Sequence, residues 1–224
     1  MVALAPLRVA LLAGCSFPPL FPALAVPPGP TPIDYAKEVE DIKACAESSA
    51  LSAEVILIPK DDENGEKGVT VSKSVACFMK MVQALAEGGE DEEEPEQSVS
   101  IPLQNVDSEA LALIVEFAQK KVDQAGPDLD GLAFSEVPRP LSGPLKEEEG
   151  VLEEDATFMD TIAQDLSKLF NLTNAANFVD CPPLLELCTA RIAEMLIGKT
   201  PQQIRDAFPD AFAENREEGE AKEG

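Results

Sequence analysis

The chain contains no histidine and no tryptophan, and basic residues are few: 17 Lys and Arg stand against 42 Asp and Glu in 224 residues. Without histidine, no His-based general base, catalytic triad or His-ligated zinc site can be built. The formal charge of −25 argues against a nucleic-acid binder, because phosphate contacts need clustered cations. We therefore expect a non-enzyme with no catalytic residues, no metal site, no cofactor and no nucleic-acid partner.

Other chemical signatures are missing as well. No segment has the spacing of an EF-hand calcium loop, and no glycine-rich loop could cradle a phosphate. The acidic residues lie in tracts rich in Pro and Gly, not at strand ends, which does not favour a glycosidase. Hydrophobic residues make up 45% of the chain and aromatic residues 5%, so we expect one or two domains with an aliphatic core.

Cysteine is sparse and shows no motif. The five residues are an odd number, widely spread, and form no C-x-x-C pair. Reduced thiols are the simplest interpretation. Cys188 lies among the apolar positions of a predicted helix and is interpreted as a small buried hydrophobic residue, with no neighbouring cation to lower its pKa.

Residues 1–50 are predicted to be a proline-rich, disordered leader. Residues 9–15 resemble the apolar region of a secretory signal, and residues 23–25 form a candidate cleavage site. Prolines within residues 18–22 end the apolar run well short of the ~20 residues that a transmembrane helix needs. A cleaved leader, a disordered extension and a wrongly chosen start codon remain alternatives, and residues 33–50 are a weak acidic helical candidate.

Residues 51–123 are predicted to contain strands that each lead into an amphipathic helix. Residues 54–59 and 69–71 are rich in β-branched residues, and Asn64-Gly65 supplies a turn, which predicts a β-hairpin. Residues 99–103 form another strand, followed by a helix that opens near residue 108. Before that strand, apolar residues spaced three and four positions apart predict one helix with a single apolar face, formed by Val75, Phe78, Met79, Val82 and Leu85.

Three segments are predicted to stay outside the core. Residues 87–96 contain seven acids and no base, which is typical of a solvated loop. Residues 124–157 combine prolines, glycines and acids, and are predicted to be a linker or a long flexible insertion. Residues 210–224 are predicted to be an acidic, disordered tail.

Residues 158–209 are predicted to be helical. An apolar period runs from residue 158 to residue 179, and Pro182-Pro183 restarts a helix that Gly198 ends. Thr200-Pro201-Gln202-Gln203 then has the form of a capping box, because Thr200 and Gln203 can each satisfy the other's backbone amide.

Four strings carry a family resemblance that covers roughly residues 53–208. They are Ile101-Pro102-Leu103-Gln104-Asn105-Val106, Ala175-Ala176-Asn177-Phe178-Val179-Asp180, Leu184-Leu185-Glu186-Leu187 and Gly198-Lys199-Thr200-Pro201-Gln202-Gln203-Ile204-Arg205-Asp206-Ala207-Phe208. The chain resembles the S-phase kinase-associated protein (Skp) family, the adaptor subunits of Skp–cullin–F-box (SCF) ubiquitin ligases.

The resemblance implies an α+β class of the BTB/POZ type, a small sheet wrapped by helices, with C-terminal helices that bind an F-box. It implies a non-catalytic adaptor that bridges a cullin and an F-box protein, in the cytoplasm and nucleus and without membrane binding, with a possible homodimer when no F-box protein is present. Asn177 and Phe178 match the cullin contact of the family. The residues that match its F-box-binding region are Leu185, Cys188, Ile192, Ile204 and Phe208.

The chain also departs from the family pattern. Cys181-Pro182-Pro183 stands where the family commonly has Ile-Lys-Gly, the region after Phe208 is a shortened version, and residues 1–50 have no counterpart. An Elongin-C-like cullin adaptor is an alternative, although the Gly-Lys-Thr-Pro run argues against it. A secreted or organellar acidic protein that kept the fold without the ligase partners is the other alternative.

Overall fold

The computed structural model of this protein describes residues 32–48, 51–62, 68–87 and 99–208. The described elements belong to one unit, which begins at Ile33. In chain order they are α1 (Tyr35–Glu47), β1 (Glu54–Pro59), β2 (Val69–Ser72), α2 (Lys73–Ala76), α3 (Lys80–Glu87), β3 (Val99–Leu103), α4 (Ser108–Ala125), a short 3-10 helix (Leu145–Glu147), α5 (Glu153–Ile162), α6 (Leu166–Phe178), α7 (Pro182–Leu196) and α8 (Pro201–Ala207). The predicted α+β class is confirmed.

The three strands form one sheet in the order β2-β1-β3. β1 pairs antiparallel with β2, with Val55 opposite Val71, and parallel with β3, with Leu57 opposite Ile101. Alternate residues of β1 are buried, so one face of the strand lies on the core as its sequence pattern predicts. The hairpin pairing and the third strand are confirmed, while the Asn64-Gly65 turn lies outside the described residues.

The prediction of one helix through residues 75–85 is wrong. The helix is divided into α2 and α3, and four of the five predicted apolar residues are buried while Leu85 is 55% exposed. The division has a physical cause: the first amides of α3, those of Lys80 and Met81, donate to the carbonyls of Asp180 and Val179. Carbonyls from elsewhere in the fold therefore replace those of the preceding helical turn.

The prediction of one apolar period through residues 158–179 covers two helices. α5 ends at Ile162 and α6 begins at Leu166, because the Asp165 side chain accepts hydrogen bonds from the backbone amides of Ser167 and Lys168. An aspartate at this position satisfies amides that have no partner inside the helix. The predicted helix at Pro182-Pro183 and the capping box of Thr200 and Gln203 are confirmed, and Gly198 has φ of 71° just after α7.

Residues 124–157 differ from the predicted flexible linker. Their backbone is ordered against the body of the protein, and Gly150 has φ of 90° with space for no side chain, since a Cβ there would lie 2.8 Å from the carbonyl oxygen of Glu136. The segment also supplies apolar side chains to the core, namely Leu129, Leu132, Phe134 and Leu145. Periodicity could not predict this, because each side chain packs singly from an irregular backbone.

A buried ion pair fastens this segment. Lys121 of α4 and Asp155 of α5 are 2% and 4% exposed, and their charged atoms approach to 2.8 Å. The Ser135 hydroxyl donates to the same carboxylate at 2.6 Å and accepts the amide of Leu152 at 2.9 Å. Because every group has a partner, two charges are tolerated in the core and the segment is joined to two helices.

The predicted leader is helical at its end. Asp34 caps α1 by accepting the amide of Lys37 at 3.1 Å, and Ile42 is buried in the core, so this stretch belongs to the folded unit. The expectation of reduced cysteines is wrong for one pair: Cys45 of α1 and Cys77 form a disulfide. The two cysteines are 32 positions apart, and only the fold brings them together.

The remaining parts of the predicted leader and the predicted acidic tail lie outside the described residues, as does nearly all of the acidic loop. Among the residues that the structure describes, no helix is both long and apolar enough to cross a bilayer.

Candidate functional site

The turn between α6 and α7 holds the predicted cullin contact at its entrance. Residues 179–181 separate the two helices, and Asp180 has φ of 53°, a left-handed conformation that aspartate adopts more readily than most side chains. The amide of Cys181 donates to the carbonyl of Ala176 at 2.9 Å. The turn is therefore closed by its own backbone.

Asn177 and Phe178 lie side by side at the end of α6, but they face different surroundings. Asn177 is exposed, whereas Phe178 is half-buried and packs against the core. A charge placed at Phe178 would therefore disturb the chain's own packing. Asn177 is the better probe of a partner at this position.

The start of α3 holds the same turn from the other side. The amides of Lys80 and Met81 reach the carbonyls of Asp180 and Val179 at 3.1 and 3.2 Å. The first amides of a helix and the carbonyls after the last turn of another both lack partners within their own helices. Their pairing joins α3 to the end of α6, next to Asn177.

The predicted F-box residues on α7 lie on the inner side of the helix. Cys188 is fully buried, and Leu185 and Ile192 are half-buried against the core. A side chain inside the core cannot touch a partner while the chain is folded, so Cys188 can only support the helix. Leu185 and Ile192 have some accessible surface left.

Of the two predicted residues on and after α8, Phe208 packs beside a more exposed aromatic residue. Ile204 is half-buried, and Phe208, 7% exposed, packs edge-on against the ring of Phe170 with 5.7 Å between centroids. Phe170 of α6 is 38% exposed, and Ile197, between α7 and α8, is 48% exposed. We call Phe170, Ile197, Ile204 and Phe208 the C-terminal apolar group.

The segment that contains three members of this group, Ile197, Ile204 and Phe208, matches a known family. The model of the Skp1 family, dimerisation domain, matches residues 182–221, which begin at the first residue of α7. The chain is 30% identical over 174 residues to the S-phase kinase-associated protein 1 homolog of Tetrahymena thermophila, and the match covers 75% of this chain and 92% of that protein. The chain belongs to the Skp1 family.

Two further relatives show the range of the similarity. SKP1-like protein 20 of rice (Oryza sativa subsp. japonica) is 33% identical over 109 residues, which are 48% of this chain and 61% of that protein. The SCF ubiquitin ligase complex protein SKP1a of Dictyostelium discoideum is 28% identical over 150 residues, 66% of this chain and 81% of its own length. This chain is thus a divergent Skp1 family member.

The Skp1 family match separates the two sets of predicted site residues. All five residues predicted to bind an F-box fall within residues 182–221, whereas Asn177 and Phe178 precede that range. The two sets are connected through α6, which contributes Asn177 near its end and, about two turns earlier, Phe170, whose ring packs against the predicted residue Phe208.

The two free cysteines in the described part of this Skp1 family member are buried. Burial raises the pKa of both the Cys181 and the Cys188 thiol to about 12, so neither is a nucleophile near neutral pH. In the described part of the chain, no three Cys, Asp or Glu side chains are grouped to hold a metal. An open groove of about 580 Å³ between α4 and α5 contains none of the predicted site residues.

Sequence reasoning missed a second buried polar cluster. Glu186 of α7 is 6% exposed and pairs with Arg139 at 2.8 Å, and the Tyr35 hydroxyl of α1 also donates to this carboxylate. Burial and the Glu186 carboxylate raise the pKa of Tyr35 well above its ordinary value. A glutamate between two leucines on a buried helix face signals such a partner, because acids are almost never fully buried unless paired.

Proposed function

We propose that this protein is a non-catalytic adaptor of an SCF-type ubiquitin ligase, with a BTB/POZ fold. It bridges a cullin, bound at the edge around Asn177, and an F-box protein, bound at the C-terminal apolar group. The relative in Dictyostelium carries the SCF complex in its name, which supports this role. Skp1 family membership also favours the Skp role over the Elongin-C-like alternative.

The observation that carries the proposal is the exposure of large apolar side chains in and beside the family-matched segment: Ile197 lies within residues 182–221, and Phe170 of α6 packs against Phe208 of that segment. Phe170 and Ile197 are 38% and 48% exposed. Aromatic and aliphatic anchors of this kind supply most of the binding free energy in protein interfaces. The net charge of −25 would also speed association with basic partners.

The adaptor role is tested with the full chain, an F-box domain and a cullin N-terminal domain, studied by size-exclusion chromatography with light scattering. We expect a ternary complex. The chain alone has a mass of 23.9 kDa, and we expect it to form a homodimer that an F-box domain dissociates, because both would cover the same apolar residues. Binding of neither domain would refute the proposal.

Two charge insertions test which surface binds which partner. Asn177→Lys is expected to weaken cullin binding at least about tenfold, because it places a charge in the contact. Ile197→Lys is expected to weaken F-box binding similarly, by desolvating an ammonium group against apolar side chains. Matched controls are Asn171→Lys, exposed on the same helix, and Leu85→Lys, at an exposed leucine elsewhere. Equal losses in variant and control would contradict the assignment.

The disulfide favours a second candidate, the secreted or organellar acidic protein without ligase partners. Disulfides persist mainly in oxidising compartments, and Cys45 and Cys77 are joined. N-terminal sequencing of the protein isolated from its cells distinguishes the two. A start within or after residues 23–25 supports the organellar candidate, and an intact Met1 or Val2 supports the adaptor.

A further inference from the structure

α1 is joined to both sides of the break between α2 and α3. On one side, Cys45 forms a disulfide with Cys77. On the other, the Glu38 carboxylate lies 2.6 Å from the Lys80 ammonium group. The Glu38 side chain is 6% exposed and the Lys80 side chain 32%, so water and salt screen this pair less than a fully exposed one.

The break is in turn the part of the chain that holds the turn after Phe178. The amides of Lys80 and Met81 donate to the carbonyls of residues 180 and 179, and the Gln83 side chain donates to the carbonyl of Cys77 at 2.5 Å. Contacts therefore run without interruption from α1, through residues 77–81, to the turn next to Asn177.

The charges along this path reinforce it. Burial opposes the charge of Lys80, but the hydrogen bond and attraction of Glu38, with Asp180 and Asp41 nearby, outweigh it and raise the pKa of Lys80. Lys80 thus stays protonated between an acid of α1 and an acid of the turn. Removing the Glu38 carboxylate would remove the hydrogen bond and the charge that hold the Lys80 ammonium group beside α1.

Only a small part of α1 is deeply buried. Among its residues only Glu38 and Ile42 are fully buried, while Val39 and Ala46 are partly buried against the core. Its other polar anchors are the hydrogen bond from Tyr35 to Glu186 and the ion pair of Lys43 with the exposed Asp130. Segments with few buried apolar contacts open locally at low free-energy cost. The disulfide is therefore expected to be a large part of what holds α1 in place.

We propose that α1 is a redox-dependent brace that positions residues 177–181 for partner binding, with Cys45 and Glu38 as its positioning residues. The binding part of this inference rests on the proposed adaptor function. When Cys45 and Cys77 are joined, residues 179–181 are held in place and the surface around Asn177 is preorganised for the cullin, which lowers the free-energy cost of binding.

The redox step is a thiol–disulfide exchange with a dithiol reductant. The sulfur–sulfur bond between Cys45 and Cys77 breaks, two electrons and two protons pass to these sulfurs, and the reductant is left as a disulfide. Cys45 is half-buried, whereas Cys77 is fully buried, so attack is expected at the Cys45 sulfur.

Hydrogen exchange tests the brace without any partner. The full chain is purified without reductant, its disulfide is verified by intact mass, and amide exchange is followed by mass spectrometry with and without dithiothreitol. We expect reduction to speed exchange of the Lys80 and Met81 amides by at least about tenfold and to leave α4 unchanged. Cys45→Ser should match the reduced protein and show no response to dithiothreitol.

Partner selectivity tests the functional part, because a general loss of stability would weaken both partners alike. Reduction, Cys45→Ser and Glu38→Gln are each expected to weaken cullin binding by about fivefold and to leave F-box binding within about twofold. Glu40→Gln, at an exposed acid of the same helix, is the matched control.

Several outcomes overturn the inference: no disulfide in the protein purified without reductant, unchanged exchange at residues 80 and 81, or equal losses for cullin and F-box. If the chain binds no cullin in either redox state, the proposed function fails. The brace is then judged by exchange alone, where faster exchange on reduction supports it and unchanged exchange refutes it.

Discussion

At the scale of single residues, burial decides the chemistry of cysteine in this protein. Four cysteines lie in the described part of the chain, and the fold gives them two fates: Cys45 and Cys77 are joined, while Cys181 and Cys188 are free and buried. A thiol with pKa near 12 is almost entirely protonated at neutral pH, and the thiolate is the reactive form. Cys188 is thus a core residue, as its sequence position predicts.

This difference predicts the pattern of alkylation. Native protein treated with iodoacetamide at pH 8 without reductant is expected to remain unmodified at Cys181 and Cys188, because both thiols are buried and protonated. Peptide mass spectrometry gives the readout, and the same reaction in 8 M urea, about the concentration that unfolds most small domains, is the positive control. Modification at either site, with an unchanged circular dichroism spectrum, would contradict the burial argument.

At the scale of elements, long-range polar contacts determine how irregular segments are held. Residues 124–152 contain no long helix or strand, yet Ser135 and the pair of Lys121 and Asp155 bind them to α4 and α5. A buried pair costs desolvation when it forms and costs more when one partner is removed. Stability should therefore respond strongly to the loss of a single charge here.

Two neighbouring lysines allow a matched test of this point. Lys121→Met leaves Asp155 buried without its ion-pair partner and is expected to lower the free energy of unfolding by about 3–5 kcal/mol. Lys120→Met, at an exposed lysine that pairs with Glu116 on the surface, is expected to cost less than about 1 kcal/mol. Urea unfolding followed by circular dichroism compares them. Similar losses would mean that the buried pair does not fasten the segment.

At the scale of the whole molecule, charge of one sign is the dominant property. The acidic side chains that give this chain its net charge of −25 repel one another, which opposes the compact state. Salt screens that repulsion. The ion pair of Lys121 with Asp155 is buried on both sides, so salt screens it less than it screens exposed charges. The net effect of salt should therefore be stabilising.

Thermal unfolding measures this effect. Raising sodium chloride from about 10 to 200 mM shortens the Debye length from about 30 to below 10 Å, and we expect the melting temperature to rise by about 2–5 °C. Sodium gluconate at equal ionic strength controls for specific anion binding. A fall in both salts would show that attractive ion pairs outweigh the general repulsion.

Local signals determined much of the fold. The β-branched residues of β1 predicted a strand with one buried face, and Thr200, Pro201 and Gln203 predicted the start of α8, because alternation and capping depend on residues close in the chain. The family strings pointed to the two partner surfaces. What they could not show is that Phe170 packs against Phe208.

The tertiary structure alone decided the features that join distant residues. The break before α3 depends on carbonyls about a hundred positions away, and the disulfide depends on α1 packing beside α2. The placement of residues 124–157 depends on apolar side chains in the core and on one buried carboxylate. Each is a contact between groups that neither period nor propensity links. The sequence by itself determined the elements and the family, and the fold decided which cysteines pair, which charges are buried and where α1 is held.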